Sequence, residues 1–164
     1  MILNQQDKYV VNTSRLGDYV GELKQALRLG SRDCNVCLVG DREIKRLNSL
    51  YRGKDRATDV LSFPWHPEPR QTRARARSKA ARRRQAGRRA RERATLEFED
   101  FLGDIVISVE TARINARREG HSTLNEIRWL ILHGVLHLLG YDHEQDHGEM
   151  NRLELSLRRR LGIR

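Results

Sequence analysis

The sequence predicts one domain of mixed layers, α/β or α+β, with about four short strands and about five helices. Three observations predict it. Short β-branched and apolar runs recur between turn-forming residues, and apolar residues recur at helical spacing in the segments between those runs. One long segment, Leu124 to Leu139, is apolar on nearly every side and must form a buried helix at the domain centre. A chain of 164 residues suits one core, because domains cluster near roughly 100–150 residues.

Residues 8–12 are expected to form a first strand, with Tyr9, Val10 and Val11 as its apolar part. Leu16, Val20, Leu23 and Leu27 then recur at helical spacing, and Gly30 serves as a stop. A second strand lies around Val36 and Leu38. Asp41 is placed to cap the next helix, whose apolar face is Ile44, Leu47, Leu50 and Tyr51 and whose end is Gly53. Thr58 to Phe63 has strand composition, and Pro64 is expected to terminate it. Gly103 to Val109 makes another strand, followed by a helix over Glu110–Arg118 with Gly120 beyond its end. Thr123 and Glu126 have capping-box spacing for the central helix, which runs through Leu139. Asp146 and Glu149 repeat that spacing for a last helix, with the seam Met150, Leu153, Leu157 and Leu161.

Charge is unevenly spread. The chain carries 32 basic and 22 acidic residues, for a net charge of +10. The stretch 66–95 alone holds eleven Arg and Lys79 against Glu68 and Glu92, so the rest of the chain is neutral. Its like charges repel and it has almost nothing apolar to bury, so it is expected to be a basic insert, disordered or a fluctuating helix, within one domain spanning 1–164. No run of about 18 apolar residues is present to span a membrane. The start, Met1 to Lys8, lacks the pattern of a signal peptide, so a reducing cytoplasm is the expected location. Cys34 and Cys37 have CxxC spacing. On a strand, however, positions three apart face opposite sides, so these are expected to be separate core thiols.

The densest chemistry lies in His133-Gly134-Val135-Leu136-His137-Leu138-Leu139-Gly140-Tyr141-Asp142-His143. His133 and His137 are four apart, so one helical face carries both imidazoles. Gly140 can break the helix and turn the chain, which lets His143 approach the same point. Three neutral imidazoles and a water make the tetrahedral site of a catalytic zinc ion, which lowers the pKa of that water to ~7. Two histidines on a buried helix face would be costly without a shared purpose. Imidazole triads also accept nickel, cobalt or copper. Asp142 either orients an imidazole or stabilises the turn. His147 is a weaker candidate ligand, His121 is expected to be exposed, and His66 has no interpretable spacing.

The spacing of His133, His137, Gly140 and His143 also matches the extended zinc motif of metzincin peptidases. Those enzymes carry a glutamate as general base directly after the first histidine. Here that position is Gly134, and nothing in the sequence places Glu144 or Glu149 at the metal. Peptide hydrolysis is therefore disfavoured.

The histidine segment resembles the signature of the YbeY family, the bacterial endoribonucleases of ribosomal RNA maturation. Two further stretches carry the resemblance in the same order: Asn48 to Asp55 with Thr58 to Pro64, and Leu102 to Ser108. The resemblance implies a single-domain α+β metalloprotein with a small, mostly four-stranded sheet and a central metal-binding helix. It implies a cytoplasmic, zinc-dependent, single-strand-specific endoribonuclease acting in 16S rRNA 3′-end maturation and ribosome quality control. It implies one zinc ion per chain, held by His133, His137 and His143, with the small ribosomal subunit and its assembly factors as partners. His133 and Arg52 would be catalytic, since the family's important arginine falls on Arg52. A guanidinium fork suits the charge that develops on phosphoryl oxygens. Without the resemblance, the favoured reading of Arg52 is an ordinary exposed charge near a helix end.

Arg52, Lys54, Arg73, Arg75, Arg77, Arg82, Arg83 and Arg84 are the expected RNA contacts, those of the insert acting by counterion release. The alternative for the insert is a solvated loop without function. The alternative for the whole protein is a non-catalytic rRNA-binding assembly factor with a structural zinc.

Overall fold

The computed structural model describes residues 1–65, 100–142 and 147–163. The basic stretch 66–95, with its expected disorder and RNA contacts, lies outside the described residues, as do His143, Glu144 and Asp146.

Four strands and five helices are described: β1 (Ile2–Asn4), α1 (Thr13–Ala26), β2 (Asp33–Val39), α2 (Asp41–Arg52), β3 (Val60–Pro64), β4 (Phe101–Ser108), α3 (Val109–Glu119), α4 (Thr123–Leu138) and α5 (Glu149–Arg160). The sheet order is β1-β2-β4-β3, with β1, β2 and β4 parallel and β3 antiparallel to β4. This is α+β, the one of the two mixed classes that the family resemblance implies.

The alternation of side chains along β2 builds two cores. Cys34, Val36 and Leu38 point into the larger one, which holds Leu16, Ile105, Ile107 and most of α4. Val39 and Cys37 point into the smaller one under α2, with Ile44, Leu61 and Val106. The two thiols thus lie on opposite faces of the sheet, as their strand spacing predicts. Burial, aided by Asp33, pushes the Cys34 thiol up to about 11. At neutral pH it is a protonated core group rather than a thiolate ligand.

Several boundaries differ from expectation. The first strand is Ile2–Asn4, pairing Ile2 with Val36, and not residues 8–12. The Gln6 side chain explains why: its Oε1 accepts from Tyr9 N at 2.9 Å and its Nε2 donates to Tyr9 O at 2.8 Å. Both ladder groups of Tyr9 are thereby taken, and Val10 is left fully exposed. The N-cap of α4 is Ser122 rather than Thr123, with Ser122 Oγ accepting from Asn125 N at 3.2 Å. Gly40, not Asp41, is the N-cap of α2. Asp41 instead accepts from the hydroxyls of Ser108 and of Thr111, the latter at 2.7 Å, and so ties α2 to the start of α3. Pro64 is the last residue of β3 rather than a residue beyond it. An edge strand tolerates proline because no neighbour needs its missing N–H.

Gly103 lets β3 and β4 close up. Its φ is +139°, and a Cβ there would come within 2.2 Å of Phe63 O. Among the described residues, no helix is long and apolar enough to cross a membrane.

Candidate metal centre

Helix α4 packs against β3, β4 and the other helices α1, α3 and α5. Nine of its sixteen residues are buried, including Ile127, Ile131, Leu132 and Leu136, so it is the central element that the all-round apolar pattern predicts. Its sheet-facing side has no spare room. A Cβ on Gly134 would approach Ile105 Cγ2 to 2.8 Å. The position where a metzincin carries its glutamate is therefore pressed against β4, and a side chain there would force Ile105 or the helix to shift.

The neighbouring face of the same turn, about 100° round the helix axis from Gly134, carries the imidazoles. His133 and His137 bring their Nε2 atoms to 3.1 Å, with the rings 80° apart. Two nitrogens at ~2.0–2.1 Å from one tetrahedral ion would stand roughly 3.3 Å apart, so this pair fits two positions around a zinc ion. The His133 side chain is 25% exposed, which leaves the pair reachable from solvent.

Helix α4 stops just beyond the second histidine in a Schellman turn. Tyr141 N donates to Leu136 O at 3.1 Å, and Gly140 N donates to His137 O at 3.0 Å. Gly140 takes φ +90°, which a side chain would resist. The chain then leaves the helix end through Tyr141 and Asp142, the residues that lead to His143.

The residue that sequence reasoning missed is Glu154. It lies on α5, is 9% exposed, and sets its Oε2 3.0 Å from His133 Nδ1. Its Oε1 accepts the indole N–H of Trp129, and the Arg158 guanidinium lies over the Trp129 ring at 5.2 Å. Burial pushes the Glu154 carboxyl up, but hydrogen bonds with His133 and Trp129 outweigh it and hold the group below the usual carboxylate range. A signal was available. Glu154 falls beside Leu153 and between Met150 and Leu157 on the apolar seam, and a carboxylate turned inward needs a partner.

Arg52 is exposed at the last turn of α2 and makes no hydrogen bond or ion pair with either imidazole among the described residues. The loop that follows is well held. Asn48, buried beneath it, donates from Nδ2 to Arg56 O at 2.8 Å, and Lys54 N donates to Asn48 O at 3.2 Å. Arg52 and Lys54 are thus displayed on a fixed turn. His121 is not exposed as expected: its Nε2 lies 3.1 Å from the buried Glu126 carboxylate. Burial raises that carboxyl, against the pull of His121. Glu149 accepts from His147 N at 2.7 Å and pairs with Arg152, so it serves the start of α5.

The model of the family described as Endoribonuclease YbeY matches residues 1–162. A protein named Endoribonuclease YbeY from Nautilia profundicola is 42% identical over 135 residues, covering 82% of this chain and 76% of the relative. One of the same name from Aquifex aeolicus is 35% identical over 144 residues, covering 88% and 78%. The solution structure of a Thermotoga maritima protein superposes with a TM-score of 0.59 at 27% identity, covering 98% of this chain and 89% of that one.

Proposed function

Because this chain belongs to the YbeY endoribonuclease family, we propose that it cleaves single-stranded RNA with a zinc ion held by His133, His137 and His143. The observation that carries this reading is the 3.1 Å approach of two imidazole nitrogens on a buried helix, at the spacing two ligands of one ion require. Zinc would supply Lewis acidity, bringing the ionisation of water to about pH 7.

The chain's own residues supply the rest. His133 and His137 offer neutral nitrogens from a helix whose burial fixes their separation. Arg52 and Lys54, on the turn that Asn48 holds, bind the phosphodiester backbone, and the Arg52 fork steadies charge on the phosphoryl oxygens. Family membership and the basic balance of the chain support ribosomal RNA of the small subunit as the substrate, and the cytoplasm as the place of action.

The test joins metal content to turnover. His137→Ala should lose zinc, measured by elemental analysis, and cleavage of a labelled single-stranded RNA together, by at least 100-fold. Chelation of the wild type should do the same, with activity returning on zinc addition. Full cleavage by a verified metal-free protein would overturn the reading. Zinc retained with RNA bound but never cut would favour an assembly factor instead.

A further inference from the structure

We propose that Glu154 is the positioning residue of the metal centre: it holds the proton on His133 Nδ1 and so turns the Nε2 lone pair toward the ion. This rests on the zinc reading above, although part of its test needs no metal. An ionised carboxylate is an acceptor only, and an indole N–H is a donor only. Glu154 meets both constraints at once, accepting from Trp129 with Oε1 and facing His133 Nδ1 with Oε2 at 3.0 Å. A neutral imidazole there carries its proton on Nδ1, which directs the lone pair of Nε2 toward the ion. His133 Nε2 is the atom that faces His137 Nε2, at 3.1 Å. A carboxylate behind a ligating imidazole also raises its basicity and fixes its plane.

Trp129 is what makes the arrangement specific. Glutamine has one oxygen and one amide nitrogen where glutamate has two oxygens. In Glu154→Gln the indole N–H claims the single oxygen, and the amide NH2 faces His133 Nδ1. That arrangement favours the wrong tautomer, with the proton on Nε2. Removing the indole by Trp129→Phe in the same chain frees the glutamine oxygen to turn toward His133, which restores the ligating tautomer.

Three measurements on the full chain test this. In metal-free wild type, nitrogen–proton correlation spectra should show the His133 proton on Nδ1; a proton on Nε2 overturns the proposal without any variant. Zinc affinity, read by chelator competition, should fall by about 10–100-fold in Glu154→Gln, with the metal-free melting curve close to wild type. The double variant Glu154→Gln with Trp129→Phe should recover at least part of that loss. A merely structural role would make the double variant worse, and that result, or an unchanged zinc affinity in Glu154→Gln, rejects the role of Glu154. Failure of the wild type to take up zinc would reject the metal reading instead, while the tautomer measurement still judges Glu154.

Discussion

At the scale of single residues, Gly134 and His133 are neighbours in sequence with opposite duties. Gly134 lets α4 rest on Ile105, and His133 turns its Nδ1 to Glu154 on α5. The close contact at 2.8 Å makes a defined cost for any added side chain. Gly134→Ala should lower stability by about 1–3 kcal/mol through overpacking, seen as a lower urea midpoint with an unchanged slope. A wild-type midpoint would mean that Ile105 swings aside freely. The pairing of His133 with His137 was legible from spacing, because residues four apart on a helix must share a face. The partner behind His133 was harder to see. Glu154 is distant in sequence, and only the packing of α5 on α4 brings it to the ring.

Among elements, the helices were legible because each buries one apolar stripe, and α4 because it is apolar on nearly every side. Their starts were less so. Ser122 and Thr123 are both able caps, and nothing local to the sequence decides which hydroxyl turns back. Strand β1 was misplaced for a related reason: Tyr9 to Val11 has strand composition, but Gln6 occupies its hydrogen bonds while Ile2–Asn4 finds a free edge on β2. The β3–β4 pair depends on Gly103 more than on any propensity. In Gly103→Ala the new methyl would meet the Phe63 carbonyl, and alanine would have to hold the positive φ that glycine takes there, costing at least ~2–3 kcal/mol. Amide exchange should quicken first at Leu61 and Phe63 on β3. Exchange as slow as wild type at those amides would contradict this account of the strand pair.

For the whole molecule, the division of charge matters most. The excess of +10 belongs to residues 66–95, and the remainder is balanced. Deleting residues 70–93 should therefore weaken RNA binding at low salt and flatten its dependence on salt concentration, with zinc content unchanged. Equal affinity and an equal salt slope in the deletion would remove the insert from the RNA-binding account. The rungs beside that segment carry a further consequence. Trp65 N donates to Leu102 O at 2.9 Å, and Pro64 stands opposite Gly103, so the excursion departs and returns through one clamped stem. Lengthening such an excursion twofold costs only about 0.6 kcal/mol in closure entropy. Evolution, or an engineer, can exchange what hangs from that stem like a tool on a fixed handle, without retuning the body that grips it.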